Sequence, residues 1–439
     1  MCSTQGSGMT DSRSLLLERE RYTPSEQFRL PLSWSQAKAA ELRARIDPDG
    51  RTGVLLLDPW NIVAFTGLWA LTTERLLAAY LPADGSAPVW FYPWLDHELV
   101  TTWWYGDGEC YFDVPDAAGQ FPPRGVAVAG EPVDRWEWLF THLAARGHGL
   151  SAGSEPFVVD SELSEAARAA ASRALGGVPR SAASAALALR MVKDDEELAV
   201  WARAYEYFDD VHVHARDRIL ERDPQLTDSR LRLDLAGFAL DRIMADYGPD
   251  RSMHGPVGIN VDLGWVRAGA VTGFPHPNQV RHAIIADQRT VQVSGIVQVG
   301  GCGGELYRPY LLVPPTAHEA YLWSTARDSC LVLKDALRAG RTGGEVAQDV
   351  HAFQRERGVE RFAATRPSHG QGMEGHQPPY ISLGERTELR PGMCLSVEPG
   401  LYDPEGGFGV NFSDTFVVQA EGPAVQMSRL PWSEEWAWL

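Results

Sequence analysis

The 439-residue chain sets 40 Lys and Arg against 58 Asp and Glu, a formal charge of −18, with 44% hydrophobic and 22% charged residues. That length suits two domains of ordinary globular composition, and the acidic balance, with arginines scattered among acids, argues against nucleic acid or an anionic membrane as partner. No apolar run approaches the ~20 residues that span a bilayer, and the leucine triplet near the start is too short for a secretory core, so the cytoplasm is the expected compartment. Cys2, Cys110, Cys302, Cys330 and Cys394 lie far apart with no C-x-x-C pair, which argues against a disulfide framework and a zinc knuckle. Lys38, Lys193 and Lys334 sit in polar, helix-like contexts and read as solvated, so Schiff-base chemistry finds no support.

Residues 1–25 are rich in Ser, Gly, Arg and Glu and predict a disordered or loosely attached tail. SWSQAKAAELRARI follows with helical spacing and a serine cap candidate. GVLLLDPWNIVAFTG reads as a buried strand, a turn at Asp58–Pro59 and a second strand, and APVWFYPW as another strand. Strand-like and Ala-rich helical pieces then alternate, so residues 26–185 predict an α/β domain. A second domain, 186–439, opens on a helix, a short break and a long amphipathic helix whose acidic first turn suits the positive end of the helix dipole. One more helix, a set of strands, two helices and closing strands follow. Within that set, VSGIVQVGGCGGELYR, Val293 to Arg308, predicts a glycine-turned hairpin.

Several segments of this second domain place polar residues in apolar or glycine-rich surroundings. They are TGFPHPN with His276, GGELYR with Glu305 and Arg308, SHGQGMEGH with His369 and His376, LSVEPG with Glu398, and GVNFSDT with Ser413 and Asp414. Each alone has a bland reading, since a strand histidine is more often hydrogen-bonded core and a Glu before Pro-Gly closes a strand. Together, acids and imidazoles on separate strands form an active-site constellation. Cys302 at the hairpin turn reads as turn geometry, with no neighbouring base to activate its thiol. The C-terminal Trp432, Trp436 and Trp438 read as packing on the domain or at a subunit contact, and TTWWYGDG as buried packing.

In order, LRMVKDDEEL, PHP, the acid three residues before Arg308, HGQGMEGHQPP, PGMCLSVEPGLY and GVNFSDTFVV resemble the creatinase/aminopeptidase P family. GVLLLDPWNIVAFTG with Arg75 matches that family's smaller first domain, so the resemblance spans about residues 30–425. It implies an α+β fold: a creatinase-like N-terminal α/β domain followed by a pita-bread C-terminal domain. The metallopeptidase branch holds two metal ions with two Asp, one His and two Glu. Carried over, these fall on Ser294, Glu305, His369, Glu398 and Ser413. Two of five ligands are then neutral hydroxyls, which cannot hold a divalent pair.

The resemblance therefore points to the metal-free branch, typified by creatinase and ectoine hydrolase. It implies a cytoplasmic homodimer without cofactor, hydrolysing a non-peptide C–N bond in a small, amino-acid-like molecule. His276 is the implied general acid/base, suited by an imidazole pKa of ~6.5, with Glu305, Glu398, His369 and His376 as partners. Arg75, supplied by the neighbouring subunit, Tyr307, Arg308 and Tyr380 are the expected substrate contacts. Tyr307 and Tyr380 stand where creatinase has a guanidinium-binding glutamate and a clamp arginine, which makes creatine itself a poor expectation. Two alternatives stay open: a mononuclear metalloenzyme, hydrolytic or oxygen-using, with Glu305, His369 and Glu398 as ligands, and a non-catalytic binding module. Xaa-Pro peptidase activity, which needs the metal pair, is the least expected enzymatic reading.

Overall fold

The structure is a computed structural model, and it describes residues 11–70, 73–105, 107–111, 134–249, 255–277 and 282–439. The chain divides into two compact units, one made chiefly of Leu30–Arg190 and the other of the N-terminal stretch to Arg29 with Met191 onward.

The Leu30–Arg190 unit starts with helix α1, Leu32–Ile46. The expected serine cap is absent, because the helix begins after Pro31 and Ser33 lies inside it. Strand β1, Gly53–Leu56, is fully buried. The predicted second strand after it is instead helix α2, Pro59–Thr66. Its boundary residues explain the difference. Asp58 accepts from the backbone N–H groups of Trp60 and Asn61, Pro59 sits where a missing N–H costs nothing, and Gly67 closes the helix at φ 76°. Strands β2 (Ala78–Leu81) and β3 (Val89–Pro93), helix α3 (His97–Thr102), strand β4 (Gly108–Tyr111), helix α4 (Arg135–Ala145), strand β5 (Phe157–Val159) and helices α5 (Glu165–Leu175) and α6 (Ala183–Arg190) complete the unit. The sheet order is β4-β3-β2-β1-β5, parallel at both edges and antiparallel between. Its core joins Leu55, Tyr80 and Phe91 to Leu139, Phe140 and Ala170 from α4 and α5.

The second unit is built on the long helix α7, Asp195–Leu220, opened by a capping box between Asp194 and Glu197, and on α8, Asp228–Tyr247, capped by Thr227. One sheet contains β6 (Asn260–Asp262), β7 (Arg267–Ala268), β8 (Thr290–Val299) and β9 (Cys302–Leu311). The hairpin β8–β9 is the predicted one, with ten-residue strands. Gly300 and Gly301 take φ of 58° and 73° at its tip, the pair of left-handed positions a tight hairpin needs. Helices α9 (Ala317–Ala336) and α10 (Gly343–Glu356) follow. The other sheet runs β11-β10-β12-β15-β16, from β10 (Ser368–Gly372), β11 (Gly375–Ile381), β12 (Cys394–Val397), β15 (Asp414–Val417) and β16 (Val425–Gln426); β13 (Leu401–Asp403) and β14 (Phe408–Val410) pair separately. Reciprocal backbone bonds between Tyr307 and Ser413, 3.1 and 3.2 Å, tie β9 to the start of β15 and so link the two sheets.

Trp436, in the short helix α11 (Glu434–Ala437), is buried, and Trp432 and Trp438 pack on the core formed by Trp323, Leu395, Phe412 and Phe416. The N-terminal stretch departs from a loose tail where it is described. Leu17 N–H donates to Arg429 O at 2.8 Å, Arg19 to Met427 O at 3.1 Å, and Arg13 pairs with Asp210 at 2.5 Å. Its arginines answer the buried acids Asp209 and Asp210 on α7, which composition alone does not reveal. Residues 1–10 of the predicted tail lie outside the described residues. Lys193 also departs from expectation: it is buried, and its Nζ donates to Gln371 O at 2.6 Å.

Candidate active site

Side chains alternate across a strand, and directly opposed residues share a sheet face. Glu305 on β9 opposes Ile296 on β8, and Tyr307 opposes Ser294, so Ser294, Glu305 and Tyr307 present to one face. On the other sheet His369 of β10 opposes Ser396 of β12, with Glu398 just beyond the strand end. The sheets thus bring four of the sequence-predicted residues together. His369 Nε2 lies 3.4 Å from Glu305 Oε2 and 3.2 Å from Glu398 Oε1. His376 Nε2 lies 3.1 Å from Glu305 Oε1, and its ring stacks on His369 at 3.7 Å between centroids. Glu305 and His369 are buried, while the side chain of His376 is 51% exposed and forms the open edge.

Proton positions follow from the partners. His369 Nδ1 is 3.0 Å from Gly370 O, and a carbonyl can only accept, so Nδ1 carries the hydrogen. In the neutral ring, Nε2 then aims a lone pair at two carboxylates. It forms no directed hydrogen bond with either. Lone pairs converging on a buried point need a cation between them, either a proton or a metal ion. Without metal, burial opposes the imidazolium, but Glu305 and Glu398 outweigh it and lift His369 to about 10. The carboxylates are pushed apart by the same surroundings. Burial raises Glu398, with Glu305 adding to the rise. For Glu305 burial acts the same way but is overcome by His369 and His376, so its carboxyl lies well below the ordinary range.

The donor set can be tested against a metal on these grounds. One oxygen of Glu305 and one nitrogen each of His369 and His376 lie within 4.8 Å of one another, and Glu398 Oε1 is 3.2 Å from His369 Nε2. Imidazole and carboxylate together suit Zn, Mn or Fe. The residues fit one ion. They do not fit two, because Ser294 and Ser413 are both buried hydroxyls; Ser294 Oγ has no hydrogen-bond partner among the described residues, and Ser413 Oγ meets Ser396 Oγ at 2.9 Å.

By sheet register Tyr307 and Tyr380 stay with the cluster, whereas Arg308 takes no part in it. His276 is exposed and makes no hydrogen bond or ion pair with any described residue. Arg308 points away from the cluster, buried in an ion pair with Asp414 at 2.8 Å and donating to the carbonyls of Tyr307, Ser413 and Leu430. It is therefore a structural arginine, not a substrate contact. Tyr307 stays beside the site, where burial and the nearby Glu305 and Glu398 hold its phenol well above its ordinary pKa. Tyr380 carries the Arg366 guanidinium over its ring at 4.4 Å. Arg75, in the other unit, pairs with Glu74 at 2.8 Å and lines a pocket of about 310 Å³ with Asp96 and Trp136. Cys302 is buried, which pushes its thiol up and leaves it unreactive.

Three contributors escaped the sequence reading. Ser396 Oγ donates to Glu305 Oε2 at 2.9 Å; its signal is the two-residue spacing to Glu398 on one strand face. Tyr205 OH, from the buried stripe of α7, donates to the carbonyl of Glu305 at 2.8 Å. Arg366 Nη2 reaches His376 Nδ1 at 3.5 Å, and no motif marks it.

The family profile "Metallopeptidase family M24" matches residues 203–420. The probable dipeptidase PepE of Mycobacterium tuberculosis is 27% identical over 391 residues, covering 87% of this chain and 91% of that protein. Two solved structures share the fold. The dipeptidase PepE of Mycobacterium ulcerans superposes with a TM-score of 0.69 at 22% identity, covering 92% of this chain and 98% of its own. A recombinant prolidase from Thermococcus sibiricus gives 0.70 at 18%, again covering 92% and 98%. These findings overturn the expected metal-independent, creatinase-like cleavage of a non-peptide C–N bond by His276. The matched family is one of metallopeptidases, and the relatives carry peptidase names. In physical terms, the missing carboxylates count against a pair of ions but not against a single one. With its α+β pita-bread architecture and the profile match over residues 203–420, the chain belongs to metallopeptidase family M24.

Proposed function

We propose that this hydrolase is a metal-dependent peptidase acting on dipeptide-sized substrates, with one divalent ion held by Glu305, His369 and Glu398. The observation that carries the reading is the His369 Nε2 lone pair, fixed by the Nδ1 bond to Gly370 O and directed between two buried carboxylates. The PepE relative, matched across most of both chains, supports the substrate class. A bound divalent ion supplies a Lewis acid for a peptide carbonyl and lowers the pKa of water.

The protein's own groups set the stage for that chemistry. Ser396 donates to Glu305 Oε2 and His376 lies at Glu305 Oε1, so both carboxylate oxygens are oriented. Gly370 O fixes the His369 tautomer, the arrangement in which a backbone acceptor directs a ligating imidazole. Arg366 can only donate, so its contact makes His376 Nδ1 the acceptor and leaves the hydrogen on Nε2, facing Glu305. His376 thereby spends its one N–H on Glu305 and steadies that carboxylate from the rim of the site.

The test is metal content and turnover on the same preparation. Protein purified without added metal should carry about one equivalent of a transition metal, lose dipeptide hydrolysis on chelation and regain it on addition of Mn, Co or Zn. His369→Ala should lose both the ion and the activity. Undiminished dipeptide turnover after complete metal removal, or no turnover of any dipeptide by the reloaded enzyme, would sink the proposal.

A further inference from the structure

Arg267 is a buried arginine without an acid. It stands on β7 opposite Gln292 of β8, and side chains two apart on a strand share a face. Gln292 therefore faces the same way as Ser294, which opposes Tyr307, and Ile296, which opposes Glu305. The register thus puts Arg267, Ser294, Tyr307 and Glu305 on one face of the sheet. Arg267 is 5% exposed, close to Glu305 at 2% and His369 at 0%, so it belongs to the inner wall of that face. Its Nη1 donates to Pro275 O at 2.9 Å, and its Nε has no hydrogen-bond partner among the described residues. The phenols of Tyr402 and Tyr307 face the guanidinium, and no carboxylate of the described residues pairs with it. Arg308, on the opposite face of β9, is equally buried but has Asp414 at 2.8 Å.

A buried charge without a counter-charge is strongly unfavourable, and burial draws the Arg267 pKa below its ordinary value. The guanidinium still keeps its proton. The proposed ion and its two carboxylates sum to zero, so Arg267 leaves one surplus positive charge in the wall. The termini of a dipeptide also cancel, so an additional acid on the substrate is what offsets the surplus. We infer that Arg267 forms an anion subsite in the wall of the active site and takes the side-chain carboxylate of an acidic residue in the substrate. The inference rests on the peptidase reading above and narrows its substrates to dipeptides containing Asp or Glu. A planar guanidinium matches a carboxylate through parallel N–H bonds. Burial holds the phenols of Tyr307 and Tyr402 above their ordinary pKa, so beside Arg267 they are neutral hydroxyls and not competing anions. Tyr307 also neighbours both Glu305 and Glu398, which sets the subsite next to the ion position.

The experiment gives the metal-reloaded full-length enzyme two isosteric pairs, Glu-Ala with Gln-Ala and Ala-Glu with Ala-Gln. Charge-assisted bonds of the arginine–carboxylate kind correspond to about 10- to 100-fold, so in one pair kcat/KM for the acid should exceed that for its amide by that factor. Arg267→Gln should bring the ratio toward one, and Arg267→Lys should keep part of it. A purely structural role would lower acid and amide rates in proportion and leave the ratio intact. That result overturns the subsite while leaving the peptidase reading in place. So does a wild-type ratio near one in both pairs, which needs no variant to fold. If none of the four dipeptides is cleaved, the peptidase reading fails. Calorimetric binding of each acid against its amide to wild type and Arg267→Lys then decides the subsite separately.

Discussion

Replacing Arg308 by Met separates a structural arginine from a substrate contact. The wild-type guanidinium is fully buried and spends its donors on Asp414 Oδ2 at 2.8 Å, Ser413 O at 2.8 Å, Tyr307 O at 2.9 Å and Leu430 O at 3.1 Å. Methionine fills a similar volume but leaves Asp414, itself fully buried, with Ser428 as its remaining donor. Removing one partner of a buried ion pair costs about 3–5 kcal/mol, because the other charge stays behind. For a unit of this size each kcal/mol moves the midpoint by about 2–4 °C, so the unfolding temperature should fall by about 6–20 °C. Trp432 lies 4.4 Å from the guanidinium and offers a local fluorescence probe of the transition. The double variant Arg308→Met with Asp414→Leu should recover much of the loss, since no orphaned charge remains. A midpoint within about 2 °C of wild type for Arg308→Met, coupled to a raised KM, would refute the structural assignment.

Two further outcomes can be checked. The paired substitution Ser294→Asp with Ser413→Glu, which restores carboxylates where the metallopeptidase branch has them, should raise bound Mn from about one to about two per chain by elemental analysis. If the pair folds poorly, Ser294→Asp alone should be destabilised without metal and rescued by it; stoichiometry and stability both unmoved by metal would count against the single-ion site. Glu319 caps α9 and pairs twice with Arg289, at 2.9 and 2.7 Å, which holds its carboxyl down at about 2 against an ordinary value near 4.5. A depressed acid stabilises the fold above its ordinary pKa and loses that contribution as pH falls toward 2. Glu319→Gln should therefore cost about 1 kcal/mol at pH 7, the scale of a capping box with a half-exposed pair, and the gap to wild type should close between about pH 4.5 and 2 in denaturant titrations.

How far the sequence could be read depended on whether the signal was local. The hairpin at Gly300–Gly301 and the acidic first turn of α7 rest on residues a few positions apart, and they are legible. Helix α2 was equally legible in Asp58, Pro59 and Gly67, but its β-branched and aromatic interior was given more weight than its ends. Arg308 was misassigned despite a usable rule. Strand side chains alternate, so a residue three after Glu305 faces the opposite side of β9. Glu305, His369 and Glu398 emerged from motif order rather than from spacing, since 64 and 29 residues of chain separate them. Lys193 and Arg366 were beyond reach, because their partners Gln371 and Tyr380 are set by sheet pairing across the second unit.

On the proposed single-ion reading, charge balance accounts for serines at two ligand positions. A dinuclear centre of this family sets four carboxylates against two divalent ions. Removing one ion while keeping four buried carboxylates would leave two uncompensated negative charges, each costing several kcal/mol in a low-dielectric interior. Removing two carboxylates along with the ion keeps the sum at zero: Glu305 and Glu398 against one divalent cation. The serines then do what neutral groups can. Ser413 meets Ser396, and Ser396 donates to Glu305 and so orients its carboxylate. On this argument Ser396→Ala should weaken metal binding, as loss of an outer-shell partner typically costs about 10- to 100-fold in affinity. An unchanged metal affinity in Ser396→Ala would show that the Ser396–Glu305 bond does not serve the ion.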